Sequence, residues 1–330
     1  MIRPLLALTI LPLPALADVP QVMTDIAPVH SLTAQVMGNL GAPDLLLPPG
    51  ADPHDFALRP SDAARLGDAD LVIWVGESLT PWLEEPLMTL APQAALVSLI
   101  DAPGWDMLEV REEVGAHGNH DDHDEHDDHS DHDHDAGHDD DDDHSGHEDP
   151  DDHAGHDHGD FDPHAWMDPS VAATWLDVIA AQLGQADPEN APTYAANAAA
   201  AILALEALEQ TITAQLVGFS DTAYVLPHDG YQYFEKRFGL NAQATIAGID
   251  GRTPGPAQIA AIREQMYDSN VVCVFSDAAI GTRWADVVTE GTQANTTDID
   301  GIGVGLTAGP ALYNAMITRL ADNFAQCLSP

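Results

Sequence analysis

Four short stretches of this chain are apolar without alternation: "DLVIWVG" at 70–76, "ALVSLI" at 95–100, "AYVL" at 223–226 and "VVCVFS" at 271–276. A strand with one wet face alternates apolar and polar residues. A continuous apolar run suits a strand covered on both faces, as in a parallel sheet with helices above and below. Helical patterns flank them: "SDAARL" precedes the first run, and a helical pattern through Phe234 follows the third. The same strand-and-helix alternation occurs twice, early and late, so the expected fold class is α/β with two lobes built on parallel-type sheets.

The middle of the chain reads as helix. Asp168 is a good N-cap, Pro169 fits the first helical position, and Val171, Trp175, Ile179 and Leu183 recur at i, i+4, with Gly184 able to end the helix. A second helix begins near Pro188. Leu205, Leu208, Ile212 and Leu216 carry one apolar face to about Val217. A helix of roughly 28 residues would span about 40 Å, long enough to tie two lobes together. An ordinary packing helix within one lobe fits the same pattern. The expected domains are 18–168 (an N-terminal α/β lobe), 169–217 (a helical region with the long linking helix) and 218–330 (a C-terminal α/β lobe).

The N-terminus, "MIRPLLALTILPLPALADVP", combines Arg3, an apolar stretch at 5–13 and the small-residue site Ala15-Leu16-Ala17. That is the pattern of a cleaved secretory signal over residues 1–17, with Asp18 opening the mature chain. Pro12 and Pro14 break the run, which is too short to span a membrane, and no later stretch is long and apolar enough to do so. An exported chain resides in an oxidising compartment. Its two cysteines, Cys273 and Cys327, therefore read as a structural disulfide rather than a thiol site.

Between Val114 and Phe161 the composition changes completely. Residues 115–160 hold thirteen histidines, at His117, His120, His123, His126, His129, His132, His134, His138, His144, His147, His153, His156 and His158, and only three alanines interrupt the polar residues. The same segment carries 20 of the chain's 55 acids and no Lys or Arg, and without it the remainder of the −45 formal charge is still strongly negative. Such a chain argues against nucleic acid and anionic membrane as partners and for cations. The segment lacks apolar area to offset ordering entropy and is expected to be a disordered insert.

Four histidines remain: His30, His54, His164 and His228. His30 in "APVHSL" reads as structural. The other three occupy loops marked by Pro, Asp and Gly: "PPGADPHDF", "FDPHAWMDP" and "YVLPHDGYQYF". A lone loop histidine is usually solvated or a cap. Three in matching contexts can supply three corners of a tetrahedral zinc site, leaving one position for a carboxylate or water. Such ligands must be neutral, so affinity is expected to fall below the ordinary imidazole pKa of about 6.5.

"GADPHDFALRPSDAARLGDADLVIWVGE", "DPHAWMDP", "LPHDGYQYFEKRFGL" and "CVFSD", in that order, resemble the periplasmic zinc-binding proteins of ABC-type high-affinity zinc uptake systems. The resemblance runs from about residue 22 to residue 327 and includes the acidic, histidine-rich insert. It implies two α/β lobes joined by a long backbone helix, with the metal in the cleft between them. It implies Zn2+ as cargo, His54, His164 and His228 as ligands, and a disulfide between Cys273 and Cys327. "TDIDGIG" resembles the segment carrying a ligating aspartate, which places Asp300 there. Some zinc members carry a glutamate immediately before the first histidine, where this chain has Pro53, so the fourth ligand is Asp300 or a water.

The resemblance further implies a periplasmic monomer that partners a membrane permease and is not an enzyme. The insert histidines would be auxiliary, weaker collectors of metal. Manganese- and iron-binding members of the same class typically carry a carboxylate where this chain has His228; imidazole suits zinc, added carboxylates suit manganese. Three rival readings are weaker. A zinc hydrolase needs a general base, and neither HExxH nor a suitably placed glutamate occurs. A pure metal buffer would use the insert alone. "GIGVG" at 301–305 lacks the strand-to-helix context and basic residues of a phosphate loop.

Overall fold

The computed structural model describes residues 19–111, 161–279 and 281–329. The expected signal peptide and the insert with its thirteen histidines lie outside the described residues.

Two four-stranded parallel sheets are built the same way. The first takes β1 (Val22–Thr24), α1 (Ala27–Met37), β2 (Asp44–Leu45), α2 (Pro60–Gly67), β3 (Leu71–Trp74), α3 (Glu84–Leu90) and β4 (Ala95–Ser98), with strand order β2-β1-β3-β4. The second takes β5 (Tyr224–His228), α6 (Gln232–Phe238), β6 (Ala244–Ala247), α7 (Pro256–Ser269), β7 (Cys273–Asp277), α8 (Arg283–Thr289) and β8 (Asn295–Ile299), ordered β6-β5-β7-β8. Every residue of β3, β5 and β7 is buried. This is what continuous apolar runs require; the run at 95–100 departs from it, since β4 lies at the sheet edge and leaves Ala95 and Leu96 exposed.

Between the sheets lie α4 (Pro169–Ala186) and α5 (Ala191–Leu216), and α9 (Leu312–Leu328) closes the chain. Asp168 caps α4 by accepting the Ser170 N–H at 2.8 Å. The same carboxylate takes a two-point ion pair from Arg237, with both N–H···O contacts at 2.8 Å, fastening the start of α4 to α6. Gly184 does not end the helix. A Cβ there would lie 3.0 Å from Cβ of Ala191, so this glycine lets α4 and α5 close on each other. With 26 residues, α5 is about 39 Å long. It packs on α1, α4 and α9.

The lobes share one core. A single apolar cluster runs from Val22 and Ile26 through Trp175, Ile179 and Leu205 to Phe275 and Phe324, with smaller clusters on the outer face of each sheet. Tyr313 on α9 adds polar stitches: its N–H donates to Ser31 Oγ at 2.9 Å and its hydroxyl to the Trp166 carbonyl at 2.7 Å. Cys273 at the start of β7 is bonded to Cys327 near the end of α9, across 54 residues of sequence. Closing a loop of that size stabilises the fold by about 4 kcal/mol in the chain-entropy account. Among the described residues no helix is long and apolar enough to cross a membrane.

Candidate metal centre

His54, His164 and His228 line one cleft of about 240 Å³, together with Trp166, Met167, Gly230, Tyr231, Ile302 and three carboxylates, Asp52, Asp250 and Asp277. The cleft lies where the carboxyl ends of both sheets face each other, the position at which open α/β sheets gather ligands.

Each histidine arrives differently. His54 rides the loop after β2. Its N–H donates to Asp52 Oδ1 at 2.9 Å, a local turn. The Trp82 indole donates to the Pro53 carbonyl at 2.8 Å, and Phe56 packs edge-on to Trp82 with centroids 5.3 Å apart. Pro53, unable to coordinate through its side chain, therefore serves as the loop's anchor. His164 opens the short 3₁₀ turn Ala165–Met167. Asp162 accepts both its backbone N–H, at 2.8 Å, and its ring Nδ1, at 2.9 Å. With Nδ1 protonated toward that carboxylate, Nε2 presents a lone pair to the cleft. His228 is the last residue of β5. Its Nδ1 stands 3.6 Å from Asp277 Oδ2, just beyond hydrogen-bond reach, while the Tyr231 hydroxyl donates to that same oxygen at 2.6 Å.

The imidazoles are mutual neighbours. Nε2 of His54 and Nε2 of His164 are 3.3 Å apart, and the rings of His164 and His228 have centroids 5.5 Å apart. Gly230 explains how the third ring fits. A Cβ on it would collide with Nε2 of His228 and lie 3.0 Å from Nε2 of His164. The space both nitrogens face exists because that side chain is absent. Among the described residues no group of three or more His, Cys, Asp or Glu side chains already forms a closed metal-holding cluster. His54 and His164 stand at chelating distance, and the His228 ring neighbours His164.

Burial keeps these rings neutral. It pushes His54 down to about 3, helped by His164 and His228 nearby, and His164 likewise down to about 3. His228 is also lowered by burial, against the pull of Asp277. Neutral imidazoles carry the lone pairs a cation needs. Beneath them Asp162 is raised to about 7 by complete burial, which its bond from the His164 N–H and the nearby Arg111 only partly oppose. Arg111 spans to Asp229, beside His228, and reaches Glu235 at 2.8 Å.

Asp300, expected with water as the alternative for the fourth position, is engaged by other partners. Its Oδ1 accepts the N–H groups of Ile302 (3.1 Å) and Gly303 (2.8 Å), and its Oδ2 accepts from the Arg319 guanidinium. The carboxylate beside the third ring is Asp277. His30 is structural: its Nε2 lies 3.0 Å from the Pro43 carbonyl within the packed face of α1. Sequence reading missed Asp162, Asp277, Gly230, Trp82 and Arg319. Only Asp162 left a signal, the repeated tripeptide Asp-Pro-His at 52–54 and 162–164.

The sequence matches the family model described as "Zinc-uptake complex component A periplasmic" over residues 22–327. It is 44% identical over 317 residues to the high-affinity zinc uptake system protein ZnuA of Paracoccus denitrificans, covering 96% of this chain and 94% of that protein. The fold is similar to that of the periplasmic zinc-binding protein TroA of Treponema pallidum (TM-score 0.73, 16% identity, 94% of this chain and 99% of that one). It is similar as well to a ZnuA deletion mutant with zinc bound (TM-score 0.72, 19% identity, 95% of this chain and 99% of that one).

Proposed function

The chain belongs to the family of periplasmic zinc-uptake complex component A proteins, and from that premise we propose that it captures Zn2+ in the cleft through His54, His164 and His228 and delivers it to the permease of an ABC-type importer. One distance carries the ligand assignment. Zinc–imidazole bonds of about 2.0–2.1 Å at tetrahedral angles set neighbouring nitrogens about 3.3–3.4 Å apart. Nε2 of His54 and Nε2 of His164 are separated by 3.3 Å. His228, whose Nε2 faces the same space as Nε2 of His164, supplies the third nitrogen. The fourth position belongs to water or, on exchange from Arg319, to Asp300.

Zinc is cargo, so the site has to bind and let go rather than activate water for catalysis. Three neutral nitrogens favour zinc over manganese. The chain acts as a monomer, exported with cleavage after Ala17. The insert, through its thirteen histidines, collects metal at lower affinity and raises the local zinc concentration near His164. A competition titration of the mature protein against a chromophoric chelator tests the central assignment. One tight equivalent is expected, lost on His164→Ala and kept on deletion of residues 117–160, which removes weaker equivalents only. Tight binding that survives His164→Ala and His228→Ala in the loop-deleted protein overturns it. An assay of ester hydrolysis with the zinc-loaded protein separates carrier from hydrolase; turnover above that of free zinc would favour the enzyme.

A further inference from the structure

Asp300 follows β8 directly and is 6% exposed. Its two successors, Gly301 and Ile302, line the cleft, and the Gly301 carbonyl is held by the Trp166 indole N–H at 2.7 Å. A carboxylate beside a cleft lined by three imidazoles would be a ready further donor. Here it is engaged elsewhere. Two loop N–H groups hold Oδ1, and the guanidinium of Arg319 holds Oδ2. Arg319 is itself positioned by a second bond, at 2.9 Å, to the Val304 carbonyl. Its helix, α9, is pinned at one end by Tyr313 and at the other by the disulfide.

We propose that Arg319 is a specificity-determining residue that holds Asp300 out of the coordination sphere, so that the cargo ion is bound by three imidazoles with a fourth position open to solvent. This rests on the three-histidine reading above. A charge-assisted bond from the part-exposed guanidinium to the buried carboxylate is reinforced by the two loop N–H groups, and zinc must outcompete them to recruit Asp300. The consequence is a donor set to which Asp300 contributes no anionic ligand. Such a site holds zinc less tightly than one with a carboxylate added, exchanges its fourth ligand readily, and attracts harder cations such as manganese poorly. Removing the guanidinium frees Asp300 to become the fourth ligand.

The test uses the mature full-length chain and five forms: wild type, Arg319→Met, Arg319→Lys, Asp300→Asn and the double variant Arg319→Met/Asp300→Asn. Zinc affinity is read by chelator competition. Access to the fourth position is read by adding azide to the Co2+-loaded protein and following its visible bands. Wild type, Arg319→Lys and Asp300→Asn should share one zinc affinity, and their cobalt spectra should shift with azide. Arg319→Met should bind zinc roughly tenfold or more tightly, within the range that outer-shell partners control, and lose the azide shift. The double variant should regain the shift.

The proposal is overturned if Asp300→Asn alone weakens zinc by tenfold or more while the wild-type cobalt protein ignores azide. It is equally overturned if folded Arg319→Met matches wild type in both readouts. Should Arg319→Met not fold, Asp300→Asn and the wild-type azide response decide alone. Loss of zinc binding in His164→Ala, measured alongside, separates these outcomes from a failure of the three-histidine reading.

Discussion

The tripeptide Asp-Pro-His occurs twice, at 52–54 on the first lobe and at 162–164 at the threshold of α4, and the two copies do different work. In both, the aspartate accepts the histidine's backbone N–H, at 2.9 Å and 2.8 Å, so both make the same turn. Asp52 is exposed and stops there. Asp162 is fully buried and also accepts the ring Nδ1. Local sequence sets the turn, while burial decides whether the aspartate steers the ring. One imidazole is thereby preorganised in position and tautomer. The other rides a loop whose outside anchors are Trp82's hydrogen bond to Pro53 and its ring contact with Phe56.

The contrast breaks most easily at the ligands. His164→Ala should weaken zinc more than about a thousandfold, beyond what outer-shell losses cost. His54→Ala should cost clearly less, because an adaptable loop ligand is more easily replaced by water. Equal losses in a chelator titration would erase the distinction. Next comes Gly230→Ala. Its methyl group fills the space that Nε2 of His228 and Nε2 of His164 face, and affinity should fall about a hundredfold with the melting temperature little changed, as a cost confined to ligand geometry. The two aspartates then separate the copies directly. Asp162→Asn should cost about tenfold in affinity, whereas Asp52→Asn should stay within about twofold, since only the first touches a ring. Trp82→Phe removes one hydrogen bond from the His54 loop, worth about 1 kcal/mol, so at most about a fivefold loss is expected.

A modest effect is expected from pH. His54 and His164 lie at about 3 in the folded protein, below their ordinary 6.5. Those two rings are unprotonated at pH 7 and at pH 5.5 alike, so protons do not compete with zinc there over that range. Asp162, raised to about 7, gains its proton across the same range, so affinity should fall by no more than the roughly tenfold expected of Asp162→Asn. Three unperturbed imidazoles would lose roughly a thousandfold, each being about nine-tenths protonated at pH 5.5. Titrations in matched buffers distinguish the two, and a steep fall would return the site to the expectation formed from sequence.

The strands readable beforehand were those with continuous apolar runs, and in β3, β5 and β7 burial on both faces leaves that mark, whereas β4 carries such a run as an edge strand with Ala95 and Leu96 exposed. β8, "NTTDI", leaves none: it is a sheet edge with polar residues largely exposed. β1 and β2 are too short, at three and two residues, to show a period. Gly184 looked like a helix stop because glycine serves both as terminator and as a point of close approach, and only the neighbouring helix tells which. At the site, the histidines were legible from their loops. Asp277 and Arg319 were not, because each acquires its role through partners 49 and 19 positions away in sequence, His228 and Asp300.

The apolar cluster that runs unbroken from one sheet to the other has a thermodynamic meaning. A protein with two separable cores can melt in two steps, and a ligand then protects the half it touches. Here Trp175 and Leu205 belong to the same cluster as Ile26 and Phe324, so neither sheet can lose its packing without exposing the other's. The cooperative unit of unfolding is the whole body. A single ion bound at the junction stabilises all of it by mass action, at a level set by free zinc relative to its dissociation constant. In a carrier, that couples occupancy to the lifetime of the fold itself: the zinc-loaded molecule resists unfolding and proteolysis throughout, and releasing the ion lowers that resistance everywhere at once.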